Sequence, residues 1–143
     1  MTEKYNRTFI AIDYGERRIG VAKSDAMGII ASALTTLEVK SHAEALDKLK
    51  VILEEYEPNA LVVGYPLLRS GEKSKKCIAV DEFIEKLKEI YGGTIYKVDE
   101  HASSQEAVSL IHAHGKKSGT DKRRIDRLAA VIILERFLAE HPG

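Results

Sequence analysis

Over the first third of the chain apolar residues come in short blocks, and from position 41 onward stretches at helical spacing alternate with further short apolar runs. Thr8 to Tyr14 mixes β-branched and aromatic residues and runs into Gly15, the pattern of a strand ending in a turn. Arg18 to Lys23 reads as its hairpin partner, with the turn in Gly15-Glu16-Arg17. A third strand is expected over Ala33 to Val39, where Thr35, Thr36 and Val39 suit a pleated backbone. Ser41-His42-Ala43-Glu44 then has the spacing of a capping box. Behind it Leu46, Leu49, Leu53 and Tyr56 line one helical face as far as Pro58, which stops the helix. Ala60 to Gly64 is a short continuous apolar run, as in a strand covered on both faces.

A polar loop spans Pro66 to Lys76. Val80, Phe83, Ile84, Leu87 and Tyr91 mark a second amphipathic helix, which Gly92-Gly93 is expected to end. Thr94 to Asp99 is a fifth strand. Ser103 with Glu106 repeats the capping-box spacing and opens a short helix to about His114. Gly115 to Gly119 is a basic loop, and Thr120 caps a last helix reaching about Glu140. Three strands in succession imply an antiparallel meander, and the strand–helix–strand units that follow demand parallel pairing with right-handed crossovers. The expected fold class is α/β, a five-stranded mixed sheet flanked by helices.

The 143 residues suit a single domain, 1–143, with no internal repeat or linker. Met1 to Arg7 is polar and lacks the apolar stretch of a signal peptide. The longest apolar run, Leu128 to Leu134, is too short to cross a bilayer, so a soluble cytoplasmic protein with no membrane partner is expected. The one cysteine, Cys77, excludes an internal disulfide and a Cys-based zinc site. Lys plus Arg and Asp plus Glu each number 22, a balance that does not by itself favour a polyanionic partner. The distribution does more: Lys116, Lys117, Lys122, Arg123, Arg124 and Arg127 fall within twelve residues that hold two acids, Asp121 and Asp126. Such a segment is either a solvated loop and helix start or a grip for phosphates.

Three acidic positions call for an explanation. Asp13 ends an apolar strand just before Gly15, either as a turn-starting Asp or as a buried acid that needs a partner. Asp99-Glu100 closes the fifth strand in the same way, and alternation sends the two side chains to opposite faces without saying which faces a site. Ligands of parallel sheets gather outside the carboxyl ends of the strands, where Asp13 and the Asp99-Glu100 pair both lie. Asp126 shares a helical face with Ala129, Ala130 and Ile133. It lies past the first turn if Thr120 is the cap, so the helix dipole explains little of it. A core-facing acid there wants an Arg, a backbone amide or a metal. Together these acids suit Mg²⁺, which takes oxygen ligands and keeps several waters. Two such ions about 4 Å apart orient water for in-line attack and neutralise the leaving oxygen. His42, His101, His112, His114 and His141 lack zinc-site spacing and read mostly as surface residues.

FIAIDYGERRIGVAKSD (Phe9 to Asp25), VVGYP (Val62 to Pro66), VDEHASS (Val98 to Ser104) and IDRLAAVIILERFL (Ile125 to Leu138) together resemble the YqgF/RuvX family over nearly the whole chain. The family is described as Holliday junction resolvases and as nucleases that mature the end of pre-16S ribosomal RNA. The resemblance implies an RNase H-like fold with an acidic metal site. By motif, Asp13 matches the first-strand acid, Glu100 (rather than Asp99) the Glu of an Asp-Glu-Arg segment, and Asp126 the acid before the paired alanines. These three are the expected catalytic and metal-holding residues, with Mg²⁺ or Mn²⁺ as the cofactor. Arg17, Arg18, Lys116, Lys117, Lys122, Arg123 and Arg124 are the expected contacts to nucleic acid, structured RNA or branched DNA.

The chain also departs from the pattern. His101-Ala102-Ser103-Ser104 stands where the family continues Arg-Leu-Thr-Thr, which removes a bidentate phosphate donor. LLRSGEKSKK (Leu67 to Lys76) replaces an Asn-Met-Asp-Gly-like run, although Arg69, Lys73, Lys75 and Lys76 can hold phosphates. The expected activity is divalent-metal-dependent endonucleolytic cleavage, in pre-16S rRNA 5′-end processing or Holliday junction resolution, by a monomer or weak homodimer. Two alternatives differ in class. One is a nucleic-acid-binding module without vigorous chemistry, acting in ribosome assembly or transcription. The other is an actin-like ATPase, suggested by Asp13-Tyr14-Gly15 with Gly20, but such enzymes enclose nucleotide between two domains and this chain has room for one.

Overall fold

The computed structural model describes residues 7–68, 70–100 and 122–142. Strands β1 (Phe9–Asp13), β2 (Arg18–Ser24) and β3 (Ala31–Glu38) form the expected antiparallel meander. Helix α1 (His42–Tyr56) leads to β4 (Ala60–Tyr65), and α2 (Lys75–Leu87) leads to β5 (Thr94–Asp99). The last described helix, α3, spans Lys122–Glu140. The helix expected from Ser103 to His114, the loop at Gly115 to Gly119 and the cap at Thr120 lie outside the described residues.

The sheet order is β3-β2-β1-β4-β5, with β1, β4 and β5 mutually parallel. β4 is therefore the central parallel strand, and all six of its residues are buried, as its unbroken apolar run requires. The pleat sorts side chains between two cores. Ile10, Ile12, Ile19, Val21, Leu61 and Val63 face α1 and α2. Phe9, Ala11, Ala22, Ala60, Val62 and Val98 face α3. Ala129 and Ala130 are fully buried, and their small side chains let α3 lie close on the sheet. No described helix is long and apolar enough to cross a membrane.

Local chemistry explains most boundaries. The Glu44 amide donates to Ser41 Oγ at 3.1 Å, while Glu44 Oε1 accepts from the Lys40 amide at 2.6 Å. The box closes one residue farther back than the simplest pattern, but both end groups are satisfied. Ser41→Ala should cost about 1 kcal/mol, read as a lower urea midpoint with an unchanged slope.

One boundary differs from expectation. α2 ends at Leu87 rather than running to Tyr91 and the glycine pair. The chain then tightens: the Glu89 amide donates to the Lys86 carbonyl and the Ile90 amide to the Leu87 carbonyl, both at 3.0 Å. These three-residue bonds are those of a narrower helical turn. They still leave Tyr91 packed against the core, where its hydroxyl donates to the Pro58 carbonyl at 2.9 Å. The apolar spacing thus persists past the regular helix.

Candidate metal centre and nucleic-acid interface

Three parallel strands end at one rim of the sheet. β1 ends in Asp13, β4 in Tyr65, and β5 in Asp99 followed by Glu100. The Glu100 amide donates to the Tyr65 carbonyl at 3.2 Å, which carries the extended ladder one residue past β5. Alternation from Phe9 and Ala11 places Asp13 on the α3 face, and alternation from Val98 places Glu100 there too. Asp99 falls on the opposite side. The pleat thus puts Glu100, and not Asp99, on the face that Asp13 occupies, which alternation in the sequence alone left open.

β4 lies between the two acids, so their backbones are two strand spacings apart, roughly 10 Å. Gly64 removes the obstacle. A Cβ there would sit 3.0 Å from Glu100 Cδ, 3.1 Å from Glu100 Oε2 and 2.6 Å from Ile133 Cδ1. The Glu100 side chain thus folds over the bare backbone of Gly64 toward Asp13, and the two carboxyls come within hydrogen-bonding reach.

A second glycine brings in α3. Asp13 pairs across the hairpin with Gly20. A methyl on Gly20 would overlap the Asp126 carbonyl oxygen, lie 2.5 Å from its carbonyl carbon and approach Arg127 N at 3.2 Å. The backbone of α3 at Asp126 is thus seated directly on β2 beside Asp13. Neither glycine is needed for a turn; both are strand positions where something approaches closely. A Gly in an otherwise apolar strand run was the available signal, and only the fold shows what it admits.

The electrostatics follow from this crowding. Burial, above all, holds the Asp13 carboxyl well above the usual carboxylate range. The charge and hydrogen bond of Glu100 and the charge of Asp126 push it the same way, and Lys76 partly offsets them. Burial also raises Glu100, helped by Asp99 and Cys77 and opposed by its hydrogen bond to Asp13 and by Lys76. Crowding and loss of solvent therefore favour keeping a proton on the pair as a whole. Lys76 lies in the first turn of α2. Just before it, the Ser74 hydroxyl donates to the Pro66 carbonyl at 2.6 Å, which ties the start of α2 to the end of β4.

Asp126 is close enough to influence Asp13, but its carboxylate is engaged elsewhere. Arg18 Nε donates to Asp126 Oδ2 at 2.8 Å. Of the three partners the sequence allowed for this acid, the structure shows the Arg. With Asp126 turned to Arg18, no three His, Cys, Asp or Glu side chains among the described residues are arranged as a finished metal cage. Asp13 and Glu100 are brought together; Asp126 is adjacent through its backbone.

The expected basic contacts divide. Arg18 pairs through its Nε with Asp126 and keeps a side chain one-third exposed. Arg123 pairs with Glu38 Oε2 at 2.9 Å, and its carbonyl accepts from Thr36 Oγ1 at 2.6 Å, so it fastens the start of α3 to the edge strand. Arg17 is exposed beside an open cavity of about 570 Å³ that it lines with Glu16, Glu38, Lys40, Glu44 and Lys48. Three acids balance three bases there. Lys122 is exposed and Arg124 half-buried. Lys116, Lys117, Arg69 and the His101-Ala102-Ser103-Ser104 segment lie outside the described residues.

Among the histidines, His42 departs from the surface role expected of it. Its Nε2 and the Tyr14 hydroxyl share a 2.8 Å hydrogen bond, and Tyr14 stacks on Phe83 with ring centroids 4.4 Å apart.

Known proteins share this arrangement of strands. The family model described as RuvX, Holliday junction resolvase, matches residues 7–140. A relative from Fusobacterium nucleatum, named as a candidate pre-16S rRNA nuclease, is 40% identical over 134 residues, covering 92% of this chain and 96% of that protein. A relative of the same name from Chlorobaculum tepidum is 33% identical over 144 residues, covering 99% of each. Among solved structures, T. thermophilus RuvC in complex with Holliday junction substrate aligns with a TM-score of 0.58 at 16% identity, covering 96% of this chain and 97% of that one. The fowlpox virus resolvase in complex with Holliday junction DNA aligns with a TM-score of 0.58 at 9% identity, covering 95% and 99%. The fold is RNase H-like.

Proposed function

The chain belongs to the RuvX family of nucleases, and from that premise we propose that it cleaves nucleic-acid phosphodiester bonds with divalent metal, Mg²⁺ or Mn²⁺, held by Asp13, Glu100 and Asp126. The observation that carries this is the pair of half-buried carboxyls meeting over Gly64, each raised in pKa first by the loss of solvent around it. Two half-buried acids crowded against each other are costly unless a proton or a cation is part of the working state. The donors are all oxygen, as a hard divalent ion prefers. A bound ion would polarise the attacking water and neutralise the leaving oxygen.

The residues of the chain have separate tasks. Asp13 and Glu100 must both lose their proton to serve as ligands, so metal loading strengthens as pH rises above the ordinary carboxylate range. Asp126 joins them by a side-chain rotation, since its backbone already abuts β2 beside Asp13. Lys76, with Lys73 and Lys75 nearby in sequence, supplies positive charge at the same rim for the substrate phosphate. Lys116 and Lys117, with Arg17, Lys122 and Arg124, extend that field along the nucleic acid.

The substrate is a ribosomal RNA precursor in the cytoplasm or a four-way DNA junction. Trimming RNA needs only a monomer, whereas resolving a junction by two symmetric cuts needs at least a transient homodimer. Cleavage of both substrates by wild type and Asp126→Asn decides the matter. We expect metal-dependent cleavage of at least one substrate by wild type and a loss of about 10²-fold in the variant. The Arg18–Asp126 ion pair favours a second reading, a nucleic-acid-binding module in which that acid is satisfied without metal. Binding of either substrate with no cleavage under Mg²⁺ or Mn²⁺ would select it.

A further inference from the structure

Arg18 is the one cation seen in direct contact with any of the three acids among the described residues. Its position follows from the pleat: Ala22 packs in the α3 core, so Gly20 and Arg18, two and four residues earlier, point to the same face. Gly20 touches the α3 backbone at Asp126. Arg18 therefore emerges beside the Asp126 side chain, and its Nε meets Oδ2 at 2.8 Å. The pair is partly open, with side-chain exposures of 33% for Arg18 and 20% for Asp126. Solvent reaches the contact, and separating the pair requires no opening of the core.

We propose that Arg18 is a positioning residue that acts as a stand-in cation: it holds Asp126 while the site is unloaded and yields it to the divalent ion on loading. The proposal rests on the metal site described above. The physical reason is charge. Asp13, Glu100 and Asp126 are crowded on one face, and Asp13 already senses both others. A guanidinium on Asp126 relieves part of that repulsion in the empty protein, and it opposes a second cation arriving at the same carboxylate. Arg18 thus stabilises the unloaded fold and weakens metal affinity, so that loading is favoured when substrate phosphate gives the displaced guanidinium a new anionic partner.

The test is Mn²⁺ titration by calorimetry at neutral pH on folded wild type, Arg18→Gln, Arg18→Lys and Asp13→Asn. Arg18→Gln removes the charge and should lower the Mn²⁺ dissociation constant about three- to tenfold while lowering the melting temperature without metal. Arg18→Lys keeps a point charge and should bind Mn²⁺ close to wild type. A purely structural Arg18 would leave Mn²⁺ affinity unchanged or weaken it in Arg18→Gln, and either result overturns the proposal. Failure of the metal site itself is separately visible: wild type and Asp13→Asn would then bind Mn²⁺ alike, and both ideas would fall together.

Discussion

Asp13→Asn should reduce phosphodiester cleavage by about 10²- to 10³-fold, the several kcal/mol that a bound divalent ion contributes to the transition state, while leaving the fold intact. The same change should stabilise the protein without metal. Asp13 is held well above its ordinary pKa by burial first and by Glu100 and Asp126 next. The folded chain therefore keeps this proton to higher pH than the unfolded chain does. The stability linked to that proton is complete below the unfolded value, near pH 4, and is lost as pH rises through the folded value. Asn carries no such dependence. Melting followed from pH 4 upward in a chelating buffer should show wild type falling relative to Asp13→Asn. A higher melting temperature paired with lost activity is the signature of an acid kept for function. A variant that merely unfolds would show the opposite.

Gly20→Ala should be the most destabilising single methyl in the described structure. The added Cβ meets backbone rather than a side chain: the carbonyl group of Asp126 and the amide nitrogen of Arg127. A side chain could swing away, but a helix backbone seated on a strand cannot without α3 leaving the sheet. Overpacking of this kind costs on the order of 3 kcal/mol or more. That is a large part of the 5 to 15 kcal/mol typical of a domain, and it lowers the melting temperature by roughly 10 °C. If the chain accommodates the methyl by lifting α3, Asp126 moves away from Asp13 and nuclease activity falls even at temperatures where the variant is folded. Thermal melting and cleavage by the folded fraction separate the two effects.

The strands were legible because their signals were local. ALVVG has no polar position to expose, and β4 is buried throughout. Ser41 and Glu44 carry their own capping chemistry, and α1 begins beside them. The three acids were legible as anomalies, charges at the ends of apolar runs or on an apolar helical face. What stayed hidden is what depends on contacts across long stretches of chain. Arg18 and Asp126 are 108 residues apart, and nothing near Asp126 says which cation serves it. Gly20 and Gly64 look like weak strand residues until α3 and β5 are laid against them. The end of α2 is hard to read because three- and four-residue hydrogen bonds mix after Leu87, and Tyr91, whose amide still donates to the Leu87 carbonyl, keeps helical spacing beyond the regular helix. Arg123 is expected at nucleic acid from its basic neighbours, and nothing local in the sequence announces its exposed ion pair with Glu38 on the edge strand.

The arrangement at the rim rests on a geometric premise, that β1, β5 and α3 deliver their acids to one shared cation position across the gap left by Gly64. A crystal of the wild-type protein soaked in Mn²⁺, with data collected at a wavelength where manganese scatters anomalously, tests it directly. The expected result is an anomalous peak between Asp13 and Glu100, within ligand distance of both, with Asp126 rotated off Arg18 to reach the same ion or a neighbouring one. A soaked crystal with no peak at the rim, or with manganese elsewhere and Asp126 still on Arg18, would contradict the account.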